Sequence, residues 1–306
     1  MTGILFIEQF LNGLQFGLML FLLAAGLTLV FGIMDMINLA HGSLYMFGAY
    51  FMAMAVQATG SFFAAVVISV LATGVLGILL EMVLLRRLYG RDHLSQVLAT
   101  FALILIANEL VRMIWGAQPI MLALPAALSG PVEIIPGLPY ASYRLLIIGV
   151  GLAVALLLYW LVVGTRAGML VRAGASNREM AMAMGTNIRR LFSLVFGVGA
   201  MLCGVAGALL GPLLAVQVGM GEEILILAFV VVVIGGIGSI RGALVGALLV
   251  GMVDTVGRAF LPMLLREFLP PQHAGVLGPG LASILIYLLM ALVLFWKPQG
   301  LFPARG

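Results

Sequence analysis

Nine apolar runs, separated by short polar segments, constrain this chain of 306 residues more than any other feature. Each run falls in the range of about 17–25 apolar residues that carries a helix across a bilayer. Only 8% of the residues are charged, against about a quarter in soluble domains, so the chain cannot cover a water-facing surface. We predict an all-α polytopic membrane protein of eight or nine transmembrane helices, folded as a single domain over residues 1–306. The apolar runs cover residues 9–33, 42–58, 61–85, 94–115, 143–164, 191–215, 224–240, 242–262 and 277–296.

Arginine clusters predict which connecting segments stay in the cytoplasm. One cluster lies in the short loop 86–93, and a larger one lies in 165–190. Lys297 and Arg305 add positive charge near the C-terminus. Short loops rich in Lys and Arg are retained on the cytoplasmic side, so both loops and the C-terminus are predicted to be cytoplasmic.

The segment 116–142 has the opposite character, because it lacks Lys and Arg and is rich in proline. Proline and glycine resist a continuous helix, so this segment is predicted to be a partly extended external loop. Nine crossings would place the N-terminus outside, and eight crossings with one re-entrant segment would fit the charges equally well.

Polar residues interrupt the first long apolar stretch. They are Asp35, Asn38, His41 and Ser43. Polar groups at bilayer depth are costly and normally face a cavity or a partner. Two interpretations stay open: a loop that turns at the membrane surface, or a broken helix that lines a solute path and offers free backbone groups to a polar solute.

A second interruption contains Gly235, Gly236 and Gly238, followed by Ser239. It lies about 200 residues after the first, and each interruption precedes a helix with spaced glycines, which suggests a weak internal repeat. Interrupted apolar segments at corresponding places in two halves point to a transport pathway. We therefore predict that both interruptions line the solute path.

Single residue types exclude other functions. The only lysine, Lys297, rules out the Gly-Lys-Ser/Thr phosphate loop of an ATPase. The only cysteine, Cys203, lies in an apolar run and is expected to pack as a small hydrophobe. An intramembrane hydrolase with Ser43 or Ser239 as nucleophile is disfavoured, because it also needs a base and an oxyanion site. No metal, cofactor or nucleic-acid partner is predicted.

Within 165–190 the sequence predicts a short helix. Ser176 or Asn177 can cap its start, and Gly185 can end it. The simpler interpretation is an amphipathic connector between two spans, and the other is a helix that docks into a groove on a cytoplasmic partner. A partner ATPase is attractive, because the chain has no ATP-binding loop of its own.

Several motifs together give the chain a family resemblance that runs from about residue 5 to 303. The sequence resembles the LivH-type permease subunits of branched-chain amino acid ABC importers, whose relatives also carry urea and short amides. One departure is Leu39, where the family usually has Phe. The motifs are Leu11-Asn12-Gly13, Gly32 to Gly42, Ser176 to Ala181, Gly185-Thr186-Asn187, Gly235 to Ser239 and Gly242-Ala243.

The resemblance implies a permease domain in a bacterial inner membrane, paired with a second, related permease. It also implies two cytoplasmic ATP-binding subunits that carry out ATP hydrolysis and a periplasmic solute-binding protein, so this chain itself would not be an enzyme. The solute would be a branched-chain amino acid or a similar small polar molecule. The implied ATPase-coupling residues are Ser176, Asn177, Arg178, Glu179, Met180, Ala181, Gly185 and Asn187.

The residues alone leave one alternative open, an ATP-independent channel or facilitator of the urea or amide type with His41 in its pore.

Overall fold

The computed structural model describes residues 2–302, which form eleven α-helices and one short β-hairpin. Met1 and residues 303–306, with Arg305, lie outside the described residues. The helices are α1 (Thr2–Met34), α2 (His41–Thr59), α3 (Phe62–Val83), α4 (His93–Trp115), α5 (Ser142–Gly164), α6 (Arg166–Ser176), α7 (Arg178–Ala183), α8 (Ile188–Leu210), α9 (Met220–Gly235), α10 (Ile240–Leu265) and α11 (Pro271–Trp296).

Nine of these helices coincide with the nine apolar runs, which confirms the all-α polytopic fold. Seven of them are long and apolar enough to cross a membrane on their own. The two exceptions are α2, with 19 residues, and α9, with 16 residues. At 1.5 Å per residue, α9 is about 24 Å long, shorter than the bilayer core of about 30 Å. The expected eight or nine crossings are therefore approximate.

Helix α1 lies at the centre of the bundle. In its most apolar window 83% of the residues are buried, against 22% in α4 and α11. Lipid tails are as apolar as the side chains of these helices, so burial by neighbouring helices, and not apolar composition, distinguishes α1 from α11. Helix α8 is also central, and α5, α8, α9 and α10 pack beside α1, whereas α2 packs mainly against α3 and α8.

Glycines let the central helices approach closely. A Cβ atom added at Gly48 of α2 would lie 2.8 Å from the Cα of Gly204 in α8. Such spacing between small residues is the usual way in which transmembrane helices bring their backbones together.

The segment 165–190 was expected to be a loop with one short helix, and this expectation is wrong in detail. The structure has α6, α7 and the start of α8 in this region. Thr165 caps α6, because its hydroxyl accepts a hydrogen bond from the Gly168 N–H at 3.1 Å. This end of the bundle also carries Arg86 and Arg87, and we call it the arginine face.

The opposite end carries the segment 116–142, and we call it the hairpin face. Strand β1 (Pro131–Ile135) pairs antiparallel with β2 (Leu138–Ala141), so the expected partly extended segment is present. Gly137 has a φ of +87° at the turn between them, a conformation that suits glycine. Tyr140 joins the hairpin to α1 by donating a hydrogen bond to the Oδ1 atom of Asn12 at 3.0 Å.

Candidate functional site

The first interruption is a folded-back segment between α1 and α2. Helix α1 ends at Met34, and Asp35 has a φ of +51°, which is unusual for a residue with a side chain. His41, the first residue of α2, nevertheless lies beside Gly26, two turns back along α1. Eight helical residues correspond to about 12 Å, so α2 begins inside the bundle. The segment between α1 and α2 therefore folds back into the bundle instead of turning at its surface.

Asn38 holds the folded-back segment in a tight turn. Its Oδ1 atom accepts a hydrogen bond from the Ala40 N–H at 3.1 Å, the Asx-turn pattern that short amide side chains favour. The side chain is fully buried, and its Nδ2 group has no hydrogen-bond partner among residues 2–302. A buried donor without a partner is costly, so the turn alone does not account for this amide.

His41 is enclosed by α1 and α8. Its Nε2 atom lies 3.1 Å from the Sγ atom of Cys203, and its ring meets Phe196 edge-on at 6.5 Å between centroids. Its exposed fraction is 0%, and Ser43, two residues further along α2, is also buried. Among residues 2–302, neither side chain lines the cavity beside Arg86 and Arg189 or the cavity beside Arg144 and Asp254. Their place in the path stays a prediction.

The second interruption separates α9 from α10. Gly236 and Gly238 have φ angles of +105° and +81°, so both hold conformations that other residues rarely adopt. The hydroxyl of Ser239 then caps α10 by accepting a hydrogen bond from the Gly242 N–H at 3.1 Å. The segment after α11 covers this break, because the Phe302 N–H donates to the carbonyl oxygen of Gly235 at 2.9 Å.

The structure brings the two interruptions together. A Cβ atom added at Gly32, three residues before Asp35, would lie 2.8 Å from the Cα of Gly238. The backbone near the end of α1 is therefore in direct contact with the backbone of the segment between α9 and α10. The two breaks form one structural unit, although whether they are equivalent halves of a repeat stays a prediction.

Helix α7 follows the predicted coupling segment closely. Asn177 caps it, because its Oδ1 atom accepts a hydrogen bond from the Met180 N–H at 2.9 Å. Ser176 is the last residue of α6, so Asn177 is the cap of the two candidates. Gly185 ends the helix with a φ of +86°, and the N–H of Thr186 bonds the carbonyl of Ala181 at 3.0 Å. The Gly185 N–H also bonds the carbonyl of Met182 at 2.9 Å. The two bonds together form the Schellman motif, which favours glycine at this position.

The outward side of α7 is apolar. Met180, Met182 and Met184 are each more than half exposed, whereas Ala181 is buried against the bundle. Glu179 is also exposed. Asn187 lies beyond α7, where its side chain caps α8 by accepting from the Arg190 N–H at 3.1 Å.

Arg178 connects α7 directly to the first interruption. Its Nη2 atom donates a hydrogen bond of 2.9 Å to the carbonyl oxygen of Ile33, in the last turn of α1. The guanidinium also lies 5.3 Å from the centroid of the Phe192 ring, a cation–π distance. The last carbonyls of a helix lack partners within it, so Arg178 satisfies one of them from another element.

Gln96 of α4 is a second anchor that the sequence reasoning missed. Its Oε1 atom accepts from the Ile37 N–H at 3.3 Å, and its Nε2 group donates to the carbonyl of Arg91 at 3.1 Å. It therefore ties the folded-back segment to the loop after α3. Its signal in the sequence was a polar amide near the start of an apolar helix, which normally indicates a polar partner.

Comparisons with known proteins agree with this architecture. The family described as "Branched-chain amino acid transport system / permease component" matches residues 9–294. The high-affinity branched-chain amino acid transport system permease protein BraD of Pseudomonas aeruginosa is 30% identical, over 97% of this chain and 95% of its own length. The corresponding LivH of Escherichia coli is 30% identical, over 84% of this chain and 87% of its own.

A more distant relative is the probable branched-chain amino acid transport permease protein LivH of Methanocaldococcus jannaschii. It is 28% identical, over 78% of this chain and 76% of its own length. The match to the family covers nearly the whole bundle, including both interruptions and α7. This multi-pass membrane protein therefore belongs to the branched-chain amino acid transport system permease family.

Proposed function

We propose that this chain is the transmembrane permease subunit of an ATP-binding-cassette importer, and that it forms the path for a branched-chain amino acid or a similar small polar solute. A second, related permease completes the membrane part, two cytoplasmic subunits hydrolyse ATP, and a periplasmic protein delivers the solute. The chain itself catalyses no reaction. The similarity to BraD and LivH, which are branched-chain amino acid transport system permease proteins, supports this proposal.

The observation that carries the proposal is the bond between Arg178 and Ile33. An ATPase that moves α7 would pull directly on the last turn of α1, at the point where the chain folds back towards Asn38. An ATP-independent channel has no need for a rigid connection between a surface helix and the break in its pore helix.

The exposed methionines of α7 support docking of a partner. Exposed apolar side chains that are clustered on a protein surface commonly mark an interaction site, and methionine adapts to the shape of a partner groove. We assign this helix to the ATPase interface: Asn177, Glu179 and Gly185 shape the docking surface, and Arg178 couples it to α1. The remaining residues of the segment 176–187 support the fold of the interface.

The orientation follows from the arginine clusters. The arginine face lies in the cytoplasm, together with the C-terminus after α11, and the hairpin face lies in the periplasm. The membrane is the inner membrane of a bacterial cell, where cytoplasmic ATPases and a periplasmic solute-binding protein can reach the same subunit from opposite sides.

The solute path is assigned to the joined interruptions. The residues proposed to line or flank it are Asp35, Asn38, His41, Ser43, Gly235, Gly236, Gly238 and Ser239. Because Asn38 and His41 are buried in the present arrangement, the path would open there when α7 moves.

Copurification from native membranes tests the proposal. A tagged form of the chain should retain an ATPase subunit, and Glu179→Gln should weaken that retention. Asp92→Asn is the matched control, because it also neutralises one exposed carboxylate on the arginine face while keeping a residue that can cap α4. Failure to retain any ATPase under conditions that preserve the membrane complex would favour the channel instead.

A further inference from the structure

A polar cavity of about 400 Å³ opens at the hairpin face between α1, α5 and α10. It lies at the far end of α1 from the two interruptions and shares no residue with them. The side chains that matter below are Asn12, Gln15, Arg144, Asp254, Thr255 and Arg258.

The charges of this cavity do not cancel. Asp254 is paired with Arg258, whose Nε atom lies 2.7 Å from its Oδ1 atom. Arg144 has no carboxylate within ion-pair distance among residues 2–302, and its guanidinium donates instead to the neutral Oδ1 atom of Asn12. Glu8 does not line the cavity. Among the residues that line the cavity, Arg144 is therefore the one cation without a carboxylate partner.

Gln15 adds an unused polar group to the same wall. Its exposed fraction is only 6%, and its amide makes no hydrogen bond with the described part of the chain. The Gln15 side chain lines the cavity, so its amide is open to a bound molecule. Ionisable groups on transmembrane helices normally face a water-filled cavity or a partner. Both features suit a site that receives a polar molecule.

We propose that this cavity is the outer mouth of the solute path and that Arg144 receives the carboxylate of a small amino acid there. A guanidinium presents two parallel N–H donors that match a carboxylate, and the Gln15 amide can bond the same solute. The inference rests on the proposed function. It favours a carboxylated solute over urea or a simple amide, because those neutral solutes have no negative charge to pair with Arg144.

Thiol labelling tests the charge of the cavity without any partner protein. Thr255→Cys places a reporter thiol in the cavity wall, while the native Cys203 is buried and serves as the unlabelled background. A sulfonate-bearing thiosulfonate should react faster than a trimethylammonium-bearing one. Adding Arg144→Gln should lower this rate ratio about tenfold, equivalent to about 1.4 kcal/mol, and Arg144→Lys should largely preserve it.

The matched control is Arg112→Gln, since Arg112 lies near the same face but outside the cavity and is already paired with Glu109. It should leave the rate ratio unchanged. An equal ratio with and without the Arg144 guanidinium would overturn the proposed role of that residue.

Protection by solutes tests the substrate class on Thr255→Cys alone, so it does not depend on an Arg144 variant that folds. L-leucine should slow the labelling, and L-leucinamide, which lacks the carboxylate, should not. Equal protection by both compounds, or protection by neither, would overturn the proposal. Because no ATPase is present, such a failure is distinct from a failure of ATP-driven uptake, which would count against the proposed function itself.

Discussion

Arg178 of α7 donates a hydrogen bond of 2.9 Å to the carbonyl oxygen of Ile33 at the end of α1, although 145 residues separate them in the chain. A positive charge near the C-terminus of a helix also interacts favourably with its dipole. A surface helix is thus bonded to the backbone of the central helix α1, one residue before that helix ends at Met34.

Replacing Arg178 by alanine should uncouple transport from ATP hydrolysis. The variant loses a charge-assisted hydrogen bond worth about 1.5–3 kcal/mol and the contact with Phe192, while the apolar outer side of α7 is unchanged. We expect ATPase retention to persist and solute uptake to fall severalfold in reconstituted vesicles. Arg190→Ala, which removes an exposed arginine from the same face, is the control, and full uptake by the Arg178 variant would contradict the coupling role.

Replacing Gly185 by valine should distort the end of α7. The φ of +86° is strained for a β-branched residue, at a local cost of about 1 kcal/mol or more. Solute-stimulated ATP hydrolysis should decline, as measured with the assembled complex. Gly90→Val is the matched control, because Gly90 lies on the same face without a positive φ and a Cβ there would meet nothing within 4 Å. Equal behaviour of the two variants would mean that the shape of α7 is unimportant.

Replacing Gly32 by valine should separate the two interruptions. Even the first added carbon would lie 2.8 Å from the Cα of Gly238, and overpacking of this kind costs about 1–3 kcal/mol. Thermal unfolding in detergent should show a lower midpoint, and uptake should fall. Gly149→Val in α5 is the control, since a Cβ there meets nothing within 4 Å. An unchanged midpoint for Gly32→Val would show that the backbones do not touch.

Thiol accessibility separates a path residue from a packing residue. Asp35→Cys should react with a water-soluble thiol reagent in every state, because Asp35 is exposed. Asn38→Cys should be protected at rest, because Asn38 is fully buried, and should react faster during turnover with ATP and solute. Protection of Asn38→Cys in all states would leave Asn38 as a turn residue only.

The sequence was sufficient for most of the fold, because long apolar runs can satisfy their backbone groups in a membrane only as helices. It also located α7, since Asn177 and Gly185 carry local capping signals. Helix α6 was missed because its two glycines and its short apolar stretch are typical of a loop, although Thr165 is a usable cap. The contacts of Arg178 with Ile33 and of Gln96 with Ile37 depend on how distant helices pack, which local patterns do not encode.

The central claim is that this permease moves its solute only when ATPases act on it through α7. The most direct measurement is uptake of radiolabelled L-leucine into proteoliposomes, with and without the ATPases, the second permease and the solute-binding protein. The account predicts ATP-dependent accumulation with the full assembly, severalfold lower accumulation in the Arg178→Ala assembly, and no accumulation with this chain alone. Rapid leucine equilibration through this chain alone, unchanged by ATP and its partners, would contradict it.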